Sequence, residues 1–402
     1  MAASQAAPAG PLAGVRVLCV NNYLAGNYGA QLLALHGADV VKVETPAGEA
    51  MRASKPFIPV DTDTSWSHFE LRMMRGVSSV VLDLDRPADR ATFERMVAAA
   101  DVFWTNLRPE SARRRRVDWP ALRPVNPRLV YASMTGFGLP ENGVGEFASL
   151  PAFDILVQGL SGLLSRNSDP DGTPVYNGLP LADQVSSLFA AFGVLVGLRQ
   201  RDQTGHGCCV DVAMFDSMIA LNEKAITMHG IGKSVPPPRA SATTAPFGMY
   251  PTSNGWACVA VGSDAVWRRF AAAVGPLIGR PGLAGEESFA SGTGRVAKLA
   301  ELTEIVERFT RPRTTDEVVD LLLAHDVPAG QALEVDRLST STQVAERRIV
   351  RALDTPRGRY PTVMSPVIVS GAEQQVADPP VLGADLQRVM HDWLGTTTEV
   401  TE

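Results

Sequence analysis

The chain predicts an α/β protein, with a large Rossmann-like domain on a parallel sheet and a smaller α+β domain. Three observations carry this expectation. Short apolar runs alternate with helix-period segments through the first half of the chain, as a parallel sheet flanked by helices requires. The first of these, from Val15 to Glu44, has strand–helix–strand form with glycines at the start of the helix. Around residues 230–251 the texture changes to SVPPPRASATTAPFGMYPTSNG, whose Pro, Ser, Thr and Gly mark a linker.

Taken in order, VRVLCV after Gly14 is a short apolar run of the kind that forms a buried strand. Gly26 and Gly29 precede a helical pattern through Leu32, Leu33 and Leu35, which Gly37 ends, and ADVVKVE supplies a second strand closing at Glu44. SSVVLDL is a strand, ADRATFERMVAAA a helix, and DVFWTN and RLVYASMTGF two further strands. ILVQGLSGLL and DQVSSLFAAFGVLVGLRQR read as two long apolar helices, followed by a strand, CCVDVAMF, and another helix. Beyond the linker, Asn254-Gly255 between MYPTS and WACVAV is a hairpin signal. Helical segments then run to about His325, and the tail ends in a helix at ADLQRVMHDWLG. The expected division is residues 1–224 for the large domain and 225–330 for the small one, with 331–402 returning to the large domain.

Composition narrows the function. Lys plus Arg number 37 against 43 Asp plus Glu, a net charge of −6, which lacks the basic excess of a general nucleic-acid binder. Cys19, Cys208, Cys209 and Cys258 match no zinc spacing and no disulfide framework, so reduced thiols in a cytoplasmic protein are expected. MAASQAAPAGP has neither a basic nor a long apolar stretch and reads as a tail rather than a targeting signal. There is no uninterrupted apolar run of about 18 residues, so no membrane span is expected.

Among chemical candidates, Gly26 and Gly29 fall one glycine short of a dinucleotide fingerprint, although Glu44 stands where a ribose-binding acid would. No G-x-S-x-G elbow and no H-x-x-x-H pair is present. The run Arg113–Arg116 reads either as a solvated face or as a clamp for phosphates. Asp154 is the one charged side chain between Phe147 and Ser165. Pro151 ahead of it and the apolar helical run behind it fit a helix N-cap. The same helix end would keep a carboxylate ionised in a partly dry setting, as a nucleophile needs. Spacing leaves both readings open for Asp154, whereas for Asp183 in LPLADQVSSLF it favours the cap.

Several blocks, in order, resemble the family III CoA-transferases, which include formyl-CoA and carnitine CoA-transferases. They are GPLAGVRVLCVNNYLAGNYGAQLLALHGADVVKVETPAGEAMR, VVLDLDRP, DVFWTNLRPE, NPRLVYASMTGFG, PAFDILVQGLSGLLS, GLPLADQVSSLFAAFGVLVGLRQRDQTGHGCCVDVAMFDS, HDVPAGQALEVDRL and PPVLGADLQRVMHDWLG. The resemblance implies Asp154 as nucleophile, with Gln158, Ser161 and Gly162 in register, and transfer through a mixed anhydride and an aspartyl-CoA thioester. It implies CoA contacts at Asn22, Tyr23, Leu24, Ala25, Thr45, Asn106 and Leu107, with Arg114 and Arg115 near the phosphates. It further implies acyl-CoA and a carboxylic acid as substrates, no prosthetic group or metal, and an interlocked homodimer.

The chain departs from the family pattern at MRGVSS, where Met74 and Val77 replace Asn and Lys of N-R-G-K-R-S. Arg72 and Arg75 are then the expected substitutes for the phosphate contacts. Leu24 replaces the glutamine of oxalate-type members, and with Met74 and Phe153 it points to a less polar acid. The family also contains 2-methylacyl-CoA racemases, but Phe153 stands in place of their histidine, and no histidine lies between His68 and His206. A racemase-like enzyme and a non-catalytic CoA-binding paralogue are the alternatives.

Overall fold

The apolar runs of the first half become strands of one sheet in a computed structural model of the chain. It describes residues 10–58, 66–169, 172–233, 244–355, 358–375 and 377–395. The segment read as an N-terminal tail lies almost wholly outside them, as do residues 234–243 of the linker.

Among the described residues, six strands pair in parallel: β1 (Arg16–Val20), β2 (Asp39–Glu44), β3 (Val77–Val81), β4 (Val102–Thr105), β5 (Val130–Thr135) and β6 (Cys208–Ala213). Their spatial order is β3-β2-β1-β4-β5-β6, the doubly wound order of Rossmann folds. Side chains alternate across each strand, so Val17 and Cys19 enter one core and Leu18 the other. The first core packs under α1 (Tyr23–Leu35) and the long helix that follows residue 180; the second packs under a helix at Pro87–Ala99 and the C-terminal helix at Leu386–Leu394. Burial on both faces explains why the strands read as nearly continuous apolar runs. Val389 and Trp393 of the C-terminal helix sit in the second core, which brings the tail back to the sheet.

The three helices that frame the site are α2 (Asp154–Leu160), α3 (Leu181–Thr204) and α4 (Met214–Leu221). The expected long helix through ILVQGLSGLL stops at Leu160. Gly162 takes a φ of 74°, a left-handed conformation that glycine adopts without strain, and a 3₁₀ turn follows at Leu164–Arg166. By length and composition α3 is apolar enough to cross a membrane, with a window of mean hydropathy 1.6. One of its faces, through Ala190, Val194 and Leu198, packs in the core between the sheet and α1.

This unit comprises residues 1–165, 175–222 and 345–402; a second unit comprises residues 166–174 and 223–344. In the second unit, Phe247–Pro251, Trp256–Ala260 and Ala329–Gln331 form an antiparallel sheet. Its hairpin turns at Asn254-Gly255, with the Thr252 amide donating to the Gly255 carbonyl at 2.9 Å. Helices at Asp264–Val274, Leu299–Thr310 and Thr315–Ala324 cover it around Trp267, Phe270, Phe289 and Phe309.

Candidate active site

In a doubly wound sheet a crevice opens at the carboxyl ends of the strands where the strand order reverses, here between β1 and β4. A cavity of about 1200 Å³ lies there, within the first unit. Its wall includes Asn22–Ala25 after β1, Asn106–Ser111 after β4, Met134–Gly138 at the end of β5, and Asp154. Asn106 ties the two sides of the switch together. Its Oδ1 accepts from the Asn22 amide, and its Nδ2 donates to the Asn22 carbonyl, both at 2.8 Å.

The loop after β1 is held from beneath. Tyr23 adopts a φ of 58°, which a non-glycine residue keeps only when its surroundings enforce it. Its amide donates to the buried Glu49 carboxylate at 2.6 Å; Glu49 also pairs with buried Lys42 and accepts from Asn27. The half-exposed ring of Tyr23 is left against the cavity.

The two glycines weighed as a dinucleotide signal serve packing instead. A Cβ on Gly26 would stand 2.8 Å from Asn106 Oδ1, and one on Gly29 only 2.5 Å from the Ser187 carbonyl of α3. Ser187 Oγ accepts from the Gly29 amide at 2.7 Å and donates to the Ala25 carbonyl at 2.8 Å, closing the α1–α3 contact. Glu44 is likewise committed elsewhere, to a two-pronged pair with Arg52 and a hydrogen bond from Ser79.

Asp154 is the first residue of α2 rather than its cap; Phe153, with extended backbone, holds the cap position and contributes no side-chain bond. The Asp154 carboxylate turns away from its own helix to the start of α3. There its Oδ1 accepts from the amides of Ala182 at 2.8 Å and Asp183 at 3.4 Å. The α3 cap position is Pro180, which has no side-chain acceptor, so Asp154 caps α3 from a neighbouring helix. Oδ2 accepts from Gln158 Nε2 at 2.7 Å and from the Tyr176 hydroxyl at 3.1 Å. Gln158 is buried and aimed by the Leu179 carbonyl at 3.0 Å. Val157, Ala182, Met214 and Met218 pack as the small core that sets α2 against α3 and α4. The Asp154 carboxylate thus caps a helix other than its own while lying on the cavity wall.

Asp183 is not a cap either: it is the third residue of α3, half-buried, and lines the cavity. Burial, and then the charge of Asp154, push its carboxyl up to about 7.

The cavity brings together Asn22, Tyr23, Leu24, Ala25, Asn106, Leu107 and Asp154. Four other expected contacts lie off its wall. Thr45 is exposed after β2 and donates to the Gly48 carbonyl. Arg75 is buried, with its guanidinium on the Val363 carbonyl at 2.7 Å. Arg114 and Arg115 are exposed at the far end of the short helix Pro109–Arg114, whose first residues line the cavity. Met74, read as a hint of substrate polarity, is fully buried and does not reach the cavity, whereas Leu24 and Phe153 do. Among the described residues, the guanidiniums on the wall are Arg72 and Arg108.

Sequence reasoning did not single out Arg108 or Tyr176. Arg108 stands in the quoted NLRPES block, but Tyr176 sits in an irregular stretch with no periodic signal. Among the described residues, no histidine lines the cavity and no group of three His, Cys, Asp or Glu is placed to hold a metal ion.

The model for CoA-transferase family III matches residues 12–386. The chain is 31% identical over 390 residues to succinate–glutarate CoA-transferase of Agrobacterium fabrum, covering 94% of this chain and 95% of that protein. It is 30% identical over 349 residues to succinyl-CoA:mesaconate CoA-transferase of Haloarcula hispanica, covering 86% of each. It is 29% identical over 410 residues to formyl-CoA:oxalate CoA-transferase of Streptomyces coelicolor, covering 96% of each. Among solved structures, a CAIB/BAIF family protein from Brucella suis superimposes with a TM-score of 0.82 at 29% identity, covering 96% of this chain and 100% of that one.

Proposed function

The chain belongs to CoA-transferase family III, and on that premise we propose that it moves coenzyme A from an acyl-CoA to a carboxylic acid with Asp154 as nucleophile. The observation that carries the assignment of Asp154 is its position. An acceptor-only carboxylate on the wall of the switch-point cavity is held by two amides of a helix N-terminus, an amide side chain and a phenol. These donors hold both carboxylate oxygens in place at the cavity wall, and a cavity filled by substrate excludes the water that would compete.

In the first half-reaction, an Asp154 oxygen attacks the thioester carbonyl. The C–S bond breaks, and its electron pair leaves on the CoA thiolate, forming a mixed anhydride. The thiolate then attacks the aspartyl carbonyl, releasing the donor acid as its carboxylate and leaving an aspartyl-CoA thioester. The acceptor carboxylate attacks that thioester and expels the thiolate. Attack of the thiolate on the new acyl carbonyl completes the product and restores Asp154. No oxidant, metal or prosthetic group enters this balance.

The acyl-CoA would contact Asn22–Ala25, Asn106 and Leu107, with Arg72 and Arg108 as the wall's positive charges. Its nucleotide end would leave past Pro109–Ser111 towards Arg114 and Arg115, with Thr45 on the same edge of the sheet. Apolar Leu24 and Phe153 favour an acid less polar than oxalate, and the relatives named for succinyl-CoA make that thioester the first donor to try. A racemase would need a second base, and among the described residues no histidine lines the cavity. We place the enzyme in the cytoplasm, as a homodimer; the exposed face of α3, with Leu188, Phe189, Phe192, Leu195 and Val196, offers an apolar surface for self-association.

The test is a mass-spectrometric screen of acyl-CoA donors against carboxylic acids, with hydroxylamine added to trap the activated aspartate. New acyl-CoA products and a hydroxamate on Asp154 are expected. Exchange of an α-proton with solvent deuterium in the absence of acceptor would favour the racemase. CoA binding with neither signal would favour a non-catalytic role.

A further inference from the structure

We propose that Asp183, as its neutral acid, is the hydrogen-bond donor that the site presents to the substrate's carbonyl and carboxylate oxygens. The inference rests on the reading of Asp154 as nucleophile and concerns a second carboxyl that this reading leaves without a role.

Two carboxyl groups share the start of α3, and four donors converge on only one of them. The amides of Ala182 and of Asp183 itself, the Gln158 side chain and the Tyr176 hydroxyl all point at Asp154. The Asp183 carboxyl has no hydrogen-bond partner among the described residues, yet it is half-buried and lies on the cavity wall. A helix start ordinarily favours an ionised acid at such a position. Here the amides that would provide that help are already taken, and the charge they stabilise is a neighbouring carboxylate. Like charges at one site separate the two ionisations, so that a single proton stays with the less supported partner. Asp183 titrates at about 7, raised first by burial and then by Asp154.

The ionisable surroundings do not reverse this. Tyr176, in the segment before α3, is itself pushed up by burial and by Asp154 and Asp183. Tyr23 of α1 and Arg72, Arg108 and Glu110 line the same cavity. Asp211 of β6 is bound to the Leu139 amide and Asn142, and Asp216 is on α4. The charged group acting on Asp183 is Asp154.

This division of labour suits the chemistry. Each attack at Asp154 builds negative charge on a carbonyl oxygen beside the nucleophile, and a positioned neutral donor stabilises it. The acceptor arrives as a carboxylate, which an ionised Asp183 would repel and a protonated one would bind. The proton stays on Asp183 throughout, so no further acid or base is required.

The experiment pairs pH–rate profiles with infrared difference titration of the full-length protein without substrate. For the wild type, kcat/KM should fall by about tenfold per pH unit above about 7, as loss of a single proton dictates. Asp183→Asn, which keeps a neutral donor, should stay within about tenfold of wild type and lose that alkaline limb. Asp183→Ala should lose about 10²-fold, the usual effect of removing one such donor. The infrared spectrum should show a protonated carboxyl that ionises near neutral pH in the wild type and is missing from Asp183→Asn. An alkaline limb that persists in Asp183→Asn, or an infrared titration unchanged by that substitution, would overturn the proposal. The titration needs no turnover, so its result stands apart from any failure to find CoA transfer.

Discussion

Replacing Asp154 should damage two functions of one carboxylate, and the two losses can be read separately. In Asp154→Ala, the Ala182 and Asp183 amides at the start of α3 lose their acceptor, and Pro180 cannot replace it. Loss of an N-cap side chain costs about 1 kcal/mol, and the lost charge–dipole attraction adds roughly 0.3–1 kcal/mol. Relief of Asp183 from its charged neighbour offsets part of this. A net loss of ~1.5 kcal/mol corresponds, for a chain of 402 residues, to a melting temperature lower by about 2–3 °C. Asp154→Asn retains an oxygen for Ala182 but turns an NH₂ towards Gln158 Nε2. Gln158 cannot flip to accept it without setting its own oxygen against the Leu179 carbonyl. One mismatched hydrogen bond costs ~1 kcal/mol, so this variant should melt between Asp154→Ala and the wild type. Transfer should fall by about 10⁴-fold or more in both, as expected when a nucleophile is removed. Scanning fluorimetry reads the stability, and acyl-CoA mass spectrometry reads the transfer. Transfer that survives in Asp154→Asn with a lowered melting point would make Asp154 a cap and nothing more. An unchanged melting point in Asp154→Ala would refute the capping argument.

Three further outcomes follow from the geometry. Gly29→Ala places a Cβ 2.5 Å from the Ser187 carbonyl and 2.6 Å from the Trp104 ring, so denaturant titration should show a loss of about 1–3 kcal/mol. Asn106→Ala breaks both hydrogen bonds across the switch point and frees the Asn22 backbone, so the KM for acyl-CoA should rise by about tenfold, with a smaller change in kcat. Arg114→Ala with Arg115→Ala should raise that KM by roughly threefold at low salt and less at high salt, without moving the melting point, because both side chains are exposed. An equal effect at all salt concentrations would remove the phosphates from that end of the helix.

The fold was legible because its signals are local. A strand buried on both faces must be apolar along its whole length, and a helix must repeat its apolar positions every three to four residues, so VRVLCV, ADVVKVE and DVFWTN announce themselves. Asp154 was visible for a similar reason, as one charge in an apolar stretch. Its partners were not. Tyr176 and Ala182 stand 22 and 28 residues further along the chain, and only the packing of α2 on α3 brings them to its carboxylate. The same limit applies to side chains whose surroundings the chain order does not announce. Glu44 follows a strand as a ribose-binding acid would, but Arg52 and Ser79 claim it through contacts that no spacing announces. Arg75 and Arg72 are three residues apart in one block, yet one guanidinium is buried against Val363 and the other faces the cavity.

By itself the sequence determined the alternation of strands and helices, the linker's texture and the single carboxylate in an apolar segment, because each depends on residues that are neighbours along the chain. Only the tertiary structure decided that Asp154 caps a helix other than its own, and that the amides at the start of α3 serve Asp154 rather than Asp183. The physical reason is that a carboxyl's charge state depends on which amides, hydroxyls and charges surround it in space. Chain order leaves that undetermined until the helices are packed.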